Sequence, residues 1–364
     1  MTVSEPSVRT CTEHEPEVSL VIVTCNRRAL LADCLASLAA LDYPASRLEL
    51  VVYDNGSSDG TTDWLARHRP DARVIAAHAN SGFAAPNNRA AEVASGRVLC
   101  LLNNDVRVAP SCLRELVAAR TATGAACVGA RLLSADGAQM EFDGGAMNFY
   151  GHAAPRRGAR SPVGPDDAVA APFATLFASG GAMLVDRTTF LAAGGFDESY
   201  FAYFEDVDLG WRLWVLGELC VVAPRALAYH REHGSESLLP ADRRVELLEQ
   251  NALLTIYKNY ERDRGERVLR CALALLAERA RLDPARARAC ERGLLGAVAR
   301  LPAAEGARRI LESRRVRRDA EIAPLFCEPF RPSIAGEAYA ARQRELAALF
   351  DAADLFEVPK GACG

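Results

Sequence analysis

Three short apolar runs, Val18–Thr24, Leu48–Tyr53 and Val98–Leu102, each end in asparagine, aspartate or glycine, with helical spacing between them. Val18–Thr24 (VSLVIVT) is continuously apolar and β-branched, the pattern of a strand buried on both faces. Arg28–Leu41 places Leu31, Cys34, Leu35 and Leu38 on one helical face. Asp54–Thr61 (DNGSSDGT) is a turn and helix-cap cluster, followed by a short strand at Arg73–Ala77 and a helix at Ala84–Ala94. This βαβα alternation specifies a parallel sheet covered by helices. An all-helical fold cannot accommodate three apolar runs that each stop at a turn residue.

Open sheets of this kind hold their ligands at the carboxyl ends of the strands. Two acidic stations stand out about a hundred residues apart. The first is Leu101–Asp105 (LLNND), an apolar strand that terminates in amides and a carboxylate. The second is Tyr203–Arg212 (YFEDVDLGWR), where Glu205, Asp206 and Asp208 crowd among aromatic and aliphatic neighbours. Apolar surroundings and like charge raise a carboxyl pKa. These acids also sit on the first turn of a helix over Val207–Leu216, whose dipole would lower it. The two effects predict opposite shifts. One station to hold a charged ligand and one to take a proton is the layout of a transferase.

The 364 residues are enough for two domains, or for one with a large appendage. A net charge of −4 gives no indication of nucleic-acid binding. Eleven cysteines without CxxC or metal-type spacing read as reduced thiols, as expected in a cytoplasmic setting. No apolar stretch approaches the length of a membrane span, so any membrane contact would be peripheral. Met1–Glu17, polar and acidic, reads as a disordered leader.

Six motifs occur in fixed order: SLVIVTCNR at Ser19, VYDNGSSDG at Val52, NSGF at Asn80, LNND at Leu102, GGFD at Gly194 and FEDVD at Phe204. Together they resemble the inverting family 2 glycosyltransferases, specifically the rhamnosyltransferase-like branch, over about residues 18–233. The resemblance implies a GT-A fold, a nucleotide-sugar donor and a divalent cation, Mg²⁺ or Mn²⁺. This chain departs from the family in three places. It has Cys25 where Tyr is frequent, Ala85–Pro86 where glycines are usual, and Asn103 where many members have the first of two aspartates.

The motifs supply the candidate residues. Thr24 and Asn26 end the first strand and could bond a nucleotide, although Asn26 could equally cap the next helix. Asp54 alone reads as turn chemistry, whereas its family position implies a nucleoside contact. Asn80 and Asn88 could reach the base or close a loop, and Asn103 and Asn104 are placed with the donor. Gly181, in Ser179–Ala182 (SGGA), would let the backbone approach the sugar or diphosphate, unless it is a plain tight turn. Asp105 is the candidate cation ligand, since one carboxylate with phosphate oxygens and water is enough for a hard ion. The resemblance makes His230 the second ligand. Asp206 is the candidate base for an acceptor hydroxyl, Glu205 its orienting partner, and Trp211 either helix core or the wall of an acceptor pocket.

Gly151–Pro172, long and without periodicity, reads as a mobile loop over the site. Beyond residue 233 come helical segments at Glu246–Tyr260, Val268–Arg281, Pro284–Arg300 and Tyr339–Leu355. The run Arg314–Arg318 (RRVRR) could dock a lipid surface or a polyanion, or form a solvated helix face. The expected enzyme moves a hexose or deoxyhexose such as rhamnose from a UDP- or dTDP-sugar to a hydroxyl. That hydroxyl would belong to a glycan, a lipid-linked sugar or a natural product. The competing readings are an inactive nucleotide-sugar-binding scaffold, a nucleotidyltransferase and a glycosidase. The first needs no base, the second wants a basic glycine-rich loop, and the third has no use for a nucleotide pocket.

Overall fold

The computed structural model describes residues 17–148, 151–156, 161–164, 171–231, 239–326 and 336–350. All but the last residue of the expected leader, and much of the expected Gly151–Pro172 loop, lie outside these. Glu17 itself is buried, accepting from the Tyr43 hydroxyl at 2.8 Å and from Arg97 at 3.0 Å.

The chain opens with β1 (Val18–Thr24), α1 (Arg28–Ala39), β2 (Leu48–Asp54), α2 (Thr61–His68), β3 (Arg73–Ala76), α3 (Ala84–Val93) and β4 (Val98–Asn103). There follow β5 (Val106–Val108), α4 (Cys112–Thr123), β6 (Cys127–Ser134), β7 (Gln139–Phe142), β8 (Gly145–Met147), β9 (Ala153–Pro155), β10 (Ser161–Pro162) and β11 (Phe173–Ala174). Then come β12 (Ala182–Asp186), α5 (Arg187–Ala192), α6 (Glu205–Val215) and β13 (Cys220–His230). The helices beyond are α7 (Ala241–Asn259), α8 (Arg262–Leu282), α9 (Pro284–Ser313), α10 (Asp319–Ile322) and α11 (Gly336–Leu349).

The main sheet runs β10-β7-β6-β12-β4-β1-β2-β3. β1, β2, β3 and β4 are mutually parallel, β12 is inserted antiparallel between β4 and β6, and β13 lies parallel to β6. This is the mixed sheet of the GT-A fold. β13 continues beyond the apolar run at Cys220–Ala223 because a register shift between Ala223 and Leu227 absorbs Pro224 and lets pairing resume. The resumed part ends at His230, paired with Val106 of β5.

The β1 side chains alternate between two cores. Leu20 and Ile22 pack with Leu31 and Leu35 of α1 and Leu113 and Leu116 of α4. Val21 faces the opposite core, which continues through α3 and α6 into α7, α8 and α9. The C-terminal helices therefore extend the core of the catalytic fold. The eight described cysteines are unpaired and, except for Cys25, buried. Burial pushes the Cys34 and Cys100 thiols up to about 12. Among the described residues, no helix is long and apolar enough to cross a membrane.

Candidate active site

The carboxyl end of β1 turns through two left-handed residues, Asn26 (φ 58°) and Arg27 (φ 62°). Asn26 does not cap α1: its Oδ1 accepts the Ser58 N–H at 2.9 Å and its own N–H donates to Ser57 Oγ at 2.7 Å, joining the ends of β1 and β2. Thr24 is buried, and its Oγ1 accepts from Asn104 Nδ2 at 2.9 Å. Asp54 is 1 % exposed, with one oxygen accepting the Ser57 N–H at 2.9 Å and the other the Thr62 hydroxyl. That is turn chemistry, and it leaves no carboxylate surface for a nucleoside.

Asn55, which the sequence did not single out, organises the adjacent loop. Its amide donates to Asn80 Oδ1 at 3.0 Å and to the Gly82 carbonyl at 2.8 Å, and its oxygen accepts the Ser81 N–H at 3.0 Å. Asn80 remains exposed at the rim. Asn88 does not: buried within α3, it donates to the Phe196 carbonyl and accepts the Phe196 N–H, both at 2.8 Å. The expected base contact is corrected to a clamp on the Gly194–Phe196 turn.

Asp105 sits in the tight turn between β4 and β5, buried at 3 % exposure, and its carbonyl accepts the Arg231 N–H at 3.0 Å. The β5–β13 pairing brings His230 Nε2 to 3.7 Å from Asp105 Oδ2. Two ligands at about 2.1 Å from a small divalent ion lie about 3.0 to 4.2 Å apart, so the pair can share one cation. Glu141, absent from the sequence reading, holds the opposite ring nitrogen at 2.8 Å, the carboxylate–histidine arrangement that fixes a ligating imidazole. Burial opposes charging of His230, but hydrogen bonds and charge from Asp105 and Glu141 prevail and raise its pKa to about 9. No cluster of three or more metal-ligating side chains occurs among the described residues. The site fits a cation completed by phosphate and water, not one caged by protein.

The acids of the second station occupy the first turn of α6. Half-buried Asp206 accepts the Gly180 N–H at 3.0 Å through Oδ2 and the Val207 N–H at 2.8 Å through Oδ1. Burial raises its pKa, outweighing those backbone donors. Glu205 is buried, its Oε2 has no hydrogen-bond partner among the described residues, and burial with the Asp206 charge raises its pKa well above the ordinary range. Desolvation thus wins over the backbone donors of the first turn. Asp208 behaves oppositely: Lys258 and Arg212 hold it below its ordinary value despite complete burial.

The two stations meet through Gly180 and Gly181. The Gly180 N–H bonds Asp206, and the buried Gly181 carbonyl accepts the Asn103 N–H at 3.0 Å. A Cβ at Gly180 would come within 3.2 Å of the Phe83 ring, a contact the ring would have to yield to. Gly181 thus contacts the β4 end with its backbone. Trp211 is corrected to core: it is 0 % exposed and packs edge-on against Tyr260 and Phe326 at 4.6 and 5.1 Å between centroids. A cavity of about 460 Å³ borders Asp105 on the α1 side, lined also by Asp33, Ser37, Arg107 and Arg231.

The profile described as glycosyl transferase family 2 matches residues 19–159. An N-acetylglucosaminyl-diphospho-decaprenol L-rhamnosyltransferase of Mycobacterium tuberculosis is 31 % identical over 243 residues, covering 61 % of this chain and 78 % of that protein. The O-antigen biosynthesis protein RfbC of Myxococcus xanthus is 32 % identical over 234 residues, 60 % of this chain but 18 % of that one. Among solved structures, a mannosyltransferase from Pyrobaculum calidifontis in complex with GDP-Man and Mn²⁺ matches with TM-score 0.51 at 18 % identity, covering 95 % of this chain and 91 % of that one. GalNAc-T7 with UDP, GalNAc and Mn²⁺ matches with TM-score 0.55 at 16 % identity, covering 71 % and 51 %. Order of motifs, mixed sheet and sequence kinship agree: this chain is an enzyme, a glycosyltransferase belonging to family 2.

Proposed function

We propose that the chain transfers a deoxyhexose, rhamnose in the first instance, from a dTDP- or UDP-sugar to a hydroxyl of a lipid-linked sugar or related glycan, with inversion. The observation that carries this reading is the Gly180–Gly181 bridge, which ties a carboxylate of raised proton affinity to the end of β4 beside the candidate cation ligand Asp105. The kinship with a rhamnosyltransferase that acts on a lipid diphosphate sugar favours this donor sugar and acceptor class.

The steps follow from the residues. Asp206 accepts the acceptor hydroxyl's proton as that oxygen forms its bond to the anomeric carbon. The bond from that carbon to the diphosphate oxygen breaks, and the nucleoside diphosphate leaves with the electron pair. Glu205, whose burial favours the protonated carboxyl, can in that form donate a hydrogen bond to the acceptor and orient it. Asp105 and His230 would hold Mg²⁺ or Mn²⁺, which when bound neutralises charge on the departing diphosphate. Asn80 and the Asn26 turn form the rim where the nucleoside would rest.

A thermal-shift screen of nucleotide sugars with and without Mn²⁺ identifies the donor, because a ligand that prefers the folded state raises its stability. With that donor, Asp206→Asn is expected to lower turnover by roughly 10²–10⁴-fold while leaving nucleotide affinity nearly intact. Turnover within a few-fold of the parent would remove Asp206 from the mechanism.

A further inference from the structure

The loop entering α6 is held in a conformation that its own residues do not favour. Phe201 has φ 63° and ψ −61°, with the Ala202 N–H bonded back to the Tyr200 carbonyl at 2.7 Å, a tight three-residue turn rarely seen in proteins. Tyr203 (φ 68°) and Phe204 (φ 72°) follow in the left-handed region. Three of four consecutive positions are therefore strained non-glycine residues, and such segments persist only where their surroundings over-determine them.

The surroundings come from α7, outside the region that bears the family motifs. Asn251 is fully buried, and its Nδ2 lies 3.1 Å from the Tyr200 carbonyl, 3.0 Å from that of Ala202 and 2.8 Å from that of Tyr203. Its Oδ1 accepts from Gln250 Nε2 at 2.9 Å, which fixes the amide's orientation. The remaining carbonyl, that of Phe201, accepts the Phe83 N–H at 2.5 Å. One helical turn further along α7, Thr255 Oγ1 pairs with the Tyr200 hydroxyl at 2.9 Å. Beyond it, Lys258 bridges Asp197 and Asp208, and Asn259 donates to Asp208 at 3.0 Å. One face of α7 grips both flanks of the loop, and Asn251 grips its middle.

We propose that Asn251 is a positioning residue for Asp206, holding the strained turn at residues 200–204 so that the first residues of α6 present the base toward Gly180. The proposal rests on the reading of Asp206 as the base. It assigns part of the catalytic geometry to the helix that follows the GT-A sheet. Only a donor amide serves here, since an aspartate would set a carboxylate against three carbonyl oxygens.

The test uses the full-length chain with Asn251→Ala and Asn251→Asp, read in two ways. Hydrogen exchange is expected to accelerate at least tenfold in the peptide spanning residues 200–208 while β1 and β2 stay protected. Turnover is expected to fall roughly 10- to 100-fold, with KM for the donor and calorimetric affinity for UDP within about twofold, as for a misplaced base. If Asn251→Ala fails to fold, both readouts pass to Asn251→Ser, which keeps one hydroxyl donor and should lie between parent and Asn251→Asp. Unchanged exchange at residues 200–208 overturns the clamp. A loosened loop with unchanged turnover overturns the positioning role. Should the parent transfer no sugar from any donor, the proposed function fails, while the exchange experiment still decides whether Asn251 holds the loop.

Discussion

Glu205 and Asp206 are adjacent in sequence but carry different burdens. Asp206 has two backbone donors to share its charge, whereas Glu205 Oε2 has none among the described residues. The glutamate therefore holds its proton more tightly, and Glu205→Gln is expected to keep turnover within a few-fold of the parent. Its folded pKa lies above the unfolded value of 4.5, so its contribution to stability is complete below pH 4.5 and is lost as pH rises toward the folded value. Denaturant midpoints measured against pH should fall for the parent through that window and stay flatter for Glu205→Gln. Parallel curves would place Glu205 in a wetter environment. At the other station, Asp105→Ala is expected to weaken Mn²⁺-dependent UDP binding more than His230→Ala. The aspartate supplies charge as well as a ligand atom, whereas a neutral imidazole supplies only a lone pair. Calorimetric titration with and without a chelator checks the order, and unchanged binding in chelator would eliminate the cation role.

At the scale of elements, the arginines at residues 314–317 lie between α9 and α10 and not on a helix face, and they bond the ends of other helices. Arg314 donates to the Ala192 carbonyl at the end of α5 at 2.8 Å, and Arg315 to that of Asn259 at the end of α7 at 2.7 Å. Arg317 donates to the Trp214 and Glu218 carbonyls at 3.1 and 2.7 Å and lies over the Trp214 ring. The Val316 and Arg317 N–H groups both bond the Val215 carbonyl, at 2.8 and 3.1 Å. Three helix C-termini, each with orphan carbonyls and a negative dipole end, are capped by cations from one short segment. Arg317→Ala should destabilise the fold by roughly 1–3 kcal/mol, seen as a lower denaturation midpoint without loss of UDP affinity. The sequence made β1, β2 and β4 legible because buried parallel strands are continuous apolar runs. It left the resumed half of β13 unread because Pro224 masks it, and named no strand at β6. Asp105 and Asp206 stood out as carboxylates beside apolar runs, whereas His230 was reached only through the family resemblance. Glu141 and Asn251 were not legible, because their partners lie 89 and about 50 residues away and no local pattern marks them, and the glycine pair at 180–181 gave no sign of its bond to Asp206, 26 residues on.

Across the whole molecule, one core passes from the sheet through α6 into the C-terminal helices, with Trp211, Tyr260 and Phe326 in mutual ring contact. Ending the chain after Glu236 would strip Leu253, Leu254, Ile256 and Val268 from that face, uncovering apolar surface of the kind that drives aggregation. Such a fragment is expected in the insoluble fraction on expression. A soluble, active fragment would make the extension a dispensable module. The arginine cap also has a consequence in time. Translation proceeds from the N-terminus, so a nascent chain that has reached Ser313 already holds every side chain assigned to the chemistry, yet the ends of α5, α6 and α7 still lack their clasp. The enzyme's geometry is sealed by residues that leave the ribosome only after all of those assigned to its chemistry.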